Sequence, residues 1–316
     1  MRLGFDVGGT KTDAVAVAPG GEIVARLRRP TGWGPAAVVQ TITGLIDELA
    51  VEVGVSDFRS IGVGMPGQVA AGGAVVTHAV NLGLDELDLA QAIGAAYGVP
   101  TRVENDVKAA AVGAYTLHGF GGAGAGFGAG ADAIAYLNLG TGIAAGFVSN
   151  GRLWRGAHGT AGEVGHISVD PHGPLCRCGQ RGCIEAFSGG AAVAERWGRP
   201  AALPVLDVFD AADAGDPRAI ELRDGLVFGV ASAVRVIVLA SDVATVVLGG
   251  GITALGDRML HPVMSSLARS AGTSPFMRSL RLAERVELLP QGSPAAALGA
   301  ALIGATATEQ EAVVHG

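Results

Sequence analysis

The chain places all three of its cysteines, Cys176, Cys178 and Cys183, within eight residues, with His166 ten residues ahead of the first. Three thiolates and one imidazole form a donor set that a tetrahedral zinc ion accepts, and four protein ligands leave no open position, so the expected metal is structural. Gly179 and Gly182 let the backbone turn sharply enough to bring three sulfurs round one ion. Scattered core cysteines would not be expected to gather beside glycine turns, and an odd number fits a disulfide framework poorly. Carboxylates flank the group, with Glu163 before it and Glu185 two residues after the last cysteine.

Three glycine loops add anion chemistry. In D-V-G-G-T-K-T, residues 6–12, Gly8 and Gly9 allow backbone N–H groups close to an anion, and Thr10, Lys11 and Thr12 supply further donors after Asp6. The spacing and the following helix of a Walker A loop are absent. L-G-T-G-I, residues 139–143, offers the same chemistry through Gly140, Thr141 and Gly142. V-L-G-G-G-I, residues 247–252, brings Gly249, Gly250 and Gly251 to the end of an expected strand entering a helix, where small residues and a helix N-terminus suit a nucleotide. Between the first two loops lies R-V-E-N-D-V-K, residues 102–108, with Asp106 about one turn into an expected helix. Asn105 and Asp106 are also residue types that cap helices. Asn81, in H-A-V-N-L, can donate and accept at once, as a pair of hydroxyls requires, and Gly67 closes an M-P-G turn.

Short apolar runs at 3–7, 14–18 and 23–28, separated by glycine turns, predict three consecutive antiparallel strands that hold the first loop. Residues 35–53 carry Val38, Ile42, Leu45, Ile46 and Leu49 at helical spacing, and a strand is expected at 60–64. A helix at 86–97, a strand at 101–103 and an alanine-rich helix at 105–117 complete one lobe, residues 1–117. Residues 119–130 are mostly Gly and Ala and read as a connection. A second lobe, 118–292, opens with strands at 134–139, 143–148 and 151–153, so that G-T-G-I echoes G-G-T-K and suggests an ancient duplication. Helices follow at 217–239 and 256–271, with strands at 245–248 and 285–289 and a last helix at 294–303; the segment 293–316 is expected to return to the first lobe. Trp33, Trp154 and Trp197 read as packing residues, and Asp207, Asp210 and Asp213 as a solvated helix face.

A chain of 316 residues with 49% hydrophobic and 16% charged residues has material for two large cores and none of the bias of a disordered chain. A net charge of −7 opposes general polyanion binding, which depends on Lys and Arg neutralising phosphates. Asp6 precedes any apolar run long enough for a signal sequence, and the apolar stretch 225–240 contains Arg235 and falls short of the ~20 residues of a membrane span. The expectation is a cytoplasmic protein with reduced thiols and no nucleic-acid or membrane partner.

These strings together resemble the ROK family of sugar kinases and sugar-responsive repressors over nearly the whole chain. The resemblance implies an α/β, two-lobed actin-like ATPase (ribonuclease H-like) fold with mixed sheets and a cleft between lobes. It implies ATP with Mg²⁺ on the three glycine loops, Asp6 placing the metal through its waters, and structural Zn²⁺ on His166, Cys176, Cys178 and Cys183. Asp106 becomes the general base, and Gly67, Asn81, Asn105, Asp106, Glu163, His166 and Glu185 the sugar site. The acceptor implied is a hexose or N-acetylhexosamine, with glucose at O6 first, N-acetylglucosamine or N-acetylmannosamine as alternatives, and the assembly a homodimer or tetramer. The chain departs from the family pattern after Asn81, where G-L-D-E-L lacks the usual aromatic or bulky residue. The family's regulators share this body and add an N-terminal DNA-binding domain; here the first strand is expected to begin at Arg2, which leaves a regulator without its own DNA-binding domain as the rival of another class.

Overall fold

The computed structural model describes residues 1–70, 73–118 and 133–305, so the Gly/Ala-rich stretch 119–130 and residues 306–316 lie outside it. The chain divides into two compact units, one drawn from residues 1–132, 146–161 and 292–316, the other from 133–145 and 162–291.

In the first unit β1 (Arg2–Val7), β2 (Lys11–Val17) and β3 (Ile23–Pro30) form the expected antiparallel run, and β4 (Ser60–Met65) leaves helix α1 (Pro35–Val53) to lie parallel to β1. All five apolar residues predicted for the helix face of α1 are buried. The small strands β5 (Gln68–Val69), β6 (Val75–Ala79) and β7 (Leu84–Asp88) form a separate sheet. A helix expected from 86 therefore starts later: L-D-E-L-D pairs with β6, and the Asp88 carboxylate caps α2 (Leu89–Tyr97) by accepting from Gln91 N at 2.8 Å. β8 (Thr101–Asn105) completes the larger sheet, in order β3-β2-β1-β4-β8, and runs directly into α3 (Asp106–Leu117).

The chain continues through β9 (Ala133–Leu139), β10 (Ile143–Ser149) and β11 (Arg152–Trp154), then the short helices α4 (Ile184–Ser188), α5 (Gly190–Trp197) and α6 (Pro204–Asp213). Sequence periodicity did not reveal α4 and α5, only 5 and 8 residues long, whereas the acidic helical spacing at Asp207, Asp210 and Asp213 falls on α6. After α7 (Pro217–Ser241) come β12 (Thr245–Gly249), α8 (Asp257–Thr273), α9 (Pro275–Ser279), β13 (Val286–Leu288) and α10 (Ala295–Gly304). The second sheet has order β11-β10-β9-β12-β13, with β12 parallel to β9 and β13, so both large sheets mix directions.

The helix α7 is longer than its apolar stretch implied: its 25 residues suffice in length and composition to cross a membrane. Leu222, Leu226, Val230, Val234 and Ile237, spaced by three or four residues, are instead buried in the second unit. Asp210 and Asp213 are tied to Arg258 of α8 at 2.9 and 2.7 Å, and Asp207 accepts the Trp197 indole N–H at 2.6 Å, so the acidic face of α6 is more than a solvated surface. Trp197 is buried as expected, whereas Trp33 and Trp154 keep 71% and 57% of their surface exposed.

The last helix packs on the first unit's sheet and on α3, and glycines allow that approach. A Cβ on Gly4 would stand 2.0 Å from Ala297 O, one on Gly62 1.7 Å from Ala300 O, and one on Gly299 1.8 Å from Ala109 O of α3. No side chain fits at any of the three, so α10 lies backbone to backbone against strand and helix alike.

Candidate active site and metal centre

The turn after β1 is closed by Gly8 N donating to Lys11 O at 3.0 Å. Gly9, Thr10 and Lys11 are exposed, while Thr12 is fully buried and shares a 2.8 Å hydrogen bond with the Thr31 hydroxyl. Thr12 thus ties the loop to its neighbour, and the exposed donors are the residues before it. Asn81 lies over this turn: a Cβ on Gly9 would come within 3.0 Å of Asn81 O.

The β8–α3 junction is built by Asn105 and Asp106. Asn105 is the helix cap itself; its Oδ1 accepts from Val107 N at 3.1 Å and Lys108 N at 3.3 Å, and its Nδ2 donates to Gly67 O at 3.4 Å. Asp106 is therefore the first residue of the helix, not a turn inside it, and its Oδ1 accepts from Val107 N at 2.9 Å. Two neighbours that sequence reasoning did not single out hold the junction. Glu104 is buried, accepts from Asn105 N at 3.0 Å and pairs with Arg155 at 2.6 Å, and the Lys108 ammonium donates to Gly159 O. Their position on either side of Asn105–Asp106 was the available signal.

Asp6, opposite Asp13 in the β1–β2 ladder, has its carboxyl pushed up to about 7. Removal from water by surrounding protein atoms is the main cause, the charges of Asp106 and Asp13 add to it, and Lys11 and Arg28 oppose it. In nucleotide- and Mg²⁺-free protein the folded chain therefore retains a proton on Asp6 that the unfolded chain releases near pH 4. The stability this provides is full below about pH 4 and is lost as pH rises to about 7. Asp6→Asn, neutral throughout, is accordingly expected to melt above the wild type by a margin that widens by about 2 to 4 °C between pH 6 and pH 8.5, as the folded wild type loses its last Asp6 protons. Thermal melts of both proteins at the two pH values check this; an equal offset at both would show that Asp6 is already ionised.

In the second unit Gly140 N donates to Gly142 O at 3.1 Å, and the start of α5 grips the same turn, Gly190 N bonding Gly140 O at 2.9 Å and Ala191 N bonding Thr141 O at 3.0 Å. Glu185, near the start of α4, accepts from Ile143 N at 2.9 Å, and a Cβ on Gly142 would stand 2.6 Å from its Oε2. A residue expected to face sugar is thus also bonded to the phosphate-type loop. Glu163 is exposed, and it is held on β10 because Gly162 and Gly165 press on the strand: their Cβ positions lie 1.8 Å from Ala145 O and 2.1 Å from Ile143 O. Gly249 and Gly250 pack against Tyr136 and Asn138, leaving Gly251 the open position of the third loop, and a short 3₁₀ helix, Gly251–Leu255, leads into α8.

A ring nitrogen of His166 and the three sulfurs all lie within 4.8 Å of one another. Cys178 Sγ is 3.7 Å from Cys183 Sγ and Cys176 Sγ is 3.9 Å from His166 Nδ1. A disulfide requires ~2.05 Å, whereas tetrahedral zinc with bonds of ~2.3 Å separates its sulfurs by about 3.7 Å. The donor set fits zinc in type, number and spacing. Burial pushes the Cys183 thiol up to about 12 and the Cys176 thiol upward as well, while the Gln180 amides bring exposed Cys178 down to about 6, so zinc binding would release protons from the buried pair. Gly182, at φ +69°, could carry no side chain, since its Cβ would lie 1.6 Å from Asp170 O. Cys183 is also the residue that precedes α4, which joins the metal centre to Glu185.

The first unit therefore holds residues 6–12, Gly67, Asn81, Asn105 and Asp106, and the second holds residues 140–142, Glu163, His166, Glu185, residues 249–251 and the metal ligands. Mixed sheets that each carry a glycine turn between their leading antiparallel strands, with a carboxylate opening a helix, belong to the actin-like ATPase fold. A ROK family glucokinase from Streptomyces griseus, solved with glucose and AMPPNP, superposes with a TM-score of 0.71 at 29% identity, covering 96% of this chain and 98% of that one. The chain belongs to the ROK family, whose model matches residues 2–306. It is 31% identical to a glucokinase of Halalkalibacterium halodurans over 83% of each chain. It is also 30% identical to an N-acetylmannosamine kinase of Escherichia coli O157:H7, over 84% of this chain and 88% of that one.

Proposed function

We propose that the protein is an ATP-dependent hexose kinase that transfers the γ-phosphoryl group to a sugar hydroxyl, with O6 of glucose the first choice. The observation that carries this reading is the β8–α3 junction, where Asn105 caps the helix and leaves Asp106 as its first carboxylate, coupled by charge to Asp6. Asp106 would take the proton as the acceptor hydroxyl attacks, Asp6 would place Mg²⁺ through its waters, and Thr10, Lys11, Thr141 and Gly142 would hold phosphates. Such transfer depends mainly on positioning and charge neutralisation. Asn81, Asn105, Glu163, His166 and Glu185 would bind the sugar, and zinc would only fix the segment that carries the last two. N-acetylmannosamine or N-acetylglucosamine is the alternative acceptor, motivated by the relative acting on the former. A homodimer, a cytoplasmic location and the absence of a nucleic-acid partner belong to the same reading.

ATP consumption against a panel of glucose, fructose, allose, N-acetylglucosamine and N-acetylmannosamine tests it. The expected result is one preferred acceptor, glucose, whose kcat/KM exceeds the others by at least about tenfold. Highest turnover with an N-acetylhexosamine would transfer the assignment to that sugar, and no turnover with any of them would refute the kinase reading.

A further inference from the structure

Trp33 stands in the loop between β3 and α1 with 71% of its surface exposed, an unusual setting for an indole that contributes little to the core. Its loop is fastened at two points. Thr31 N donates to Thr10 O of the first glycine turn at 3.1 Å, and Gly34 N donates to Leu82 O, beside Asn81, at 2.8 Å. Asn81 in turn lies over Gly9, so three loops meet as one local assembly: the anion turn, the Asn81 turn and the Trp33 loop. The indole rests on Gly83, where a Cβ would stand 2.7 Å from both Cε2 and Nε1 of Trp33. Gly83, at φ +67°, therefore cannot accept a larger residue without expelling the ring. The stretch after Asn81 offers no aromatic residue of its own, and Trp33 brings one to the same turn from a different loop.

We propose that Trp33 is a specificity-determining wall of the acceptor-sugar site, covering C–H surface of a hexopyranose whose hydroxyls are read by Asn81. A pyranose presents apolar C–H patches beside its hydroxyls, and an indole supplies a rigid apolar face with an N–H at its edge, so an exposed tryptophan next to an exposed amide matches both halves of that chemistry. The inference rests on the sugar-kinase reading above.

Tryptophan emission of the full-length, zinc-loaded, nucleotide-free protein, titrated with glucose and separately with N-acetylmannosamine, tests it alongside the kinetics of Trp33→Phe and Trp33→Ala. At least one sugar should change the emission of the wild type, and Trp33→Phe should abolish that change although Trp154 and Trp197 remain. Trp33→Ala should raise the sugar KM about tenfold, the loss expected when roughly 55 Å² of C–H surface is no longer removed from water. The ATP KM and kcat should stay within about twofold, and phenylalanine should recover most of the sugar affinity, which a general loosening of the loops would not produce. An emission change that persists in Trp33→Phe, no response to either sugar, or an unaltered sugar KM in Trp33→Ala would overturn the proposal. A wild type that phosphorylates no hexose refutes the kinase reading instead, and the titration still decides this one: a sugar response that vanishes in Trp33→Phe supports the wall.

Discussion

Asp106→Asn is expected to lower kcat by at least about 100-fold while changing sugar KM far less. The substitution is a clean one because the wild-type Oδ1 accepts from Val107 N at 2.9 Å, a bond that an asparagine carbonyl retains, and the α3 cap itself belongs to Asn105. The helix should therefore stay in place, and a melting temperature near that of the wild type would confirm it. What disappears is the proposed acceptor for the sugar proton and one negative charge. The second loss has its own readout: Asp106 is one of the charges that raise the Asp6 carboxyl to about 7, so its removal should move Asp6 downward. Carboxyl-carbon NMR of the nucleotide-free variant would report that shift independently of turnover. Near-normal kcat would remove Asp106 from the role of base.

Cys178→Ser should lose the metal and, with it, most sugar turnover. One zinc per chain is expected in wild-type protein purified without chelators, falling close to none in the variant, since three remaining donors leave a tetrahedral ion open to water. Cys183 immediately precedes α4, and Glu185 follows two residues later, so freeing the cysteine loosens the start of that helix. His166 is released at the same time. Positioning errors of this size can cost about 100-fold even when every chemical group is still present, and kcat/KM for sugar should fall by that order. The bond from Ile143 N to Glu185 carries the disturbance to the glycine turn at 140–142, so the ATP KM should rise as well, though by less. Elemental analysis and the two KM values check this. Zinc-free wild-type protein, or a serine variant with unaltered kinetics, would show the site to be absent or idle.

That link was not legible in the sequence. Residues 139–143 and 176–185 are separated by more than thirty positions, and nothing in either string says that a carboxylate of one receives an amide of the other. The candidate metal donors were legible because they are local: three thiols and one imidazole within eighteen residues, beside glycines, have few other uses. The helix α1 was legible for a similar reason, since a 3.6-residue period reports which face is apolar without reference to what covers it. The same period cannot name the partner, and the tryptophans show the consequence. Trp33, Trp154 and Trp197 are chemically alike, yet only the last is enclosed.

The sequence by itself thus determined the Cys/His donor set, the glycine turns and the mixed α/β order of elements, because each depends on residue type and short spacing. Tertiary structure alone decided that Thr12 turns inward to Thr31, that Asn105 rather than Asp106 is the cap, that α10 seats on Gly4 and Gly62, and that Glu185 is bonded to the loop beside Ile143. Each of these is set by which backbone comes within hydrogen-bonding or van der Waals distance of which. That depends on the packing of whole elements, and no local pattern of residues encodes it.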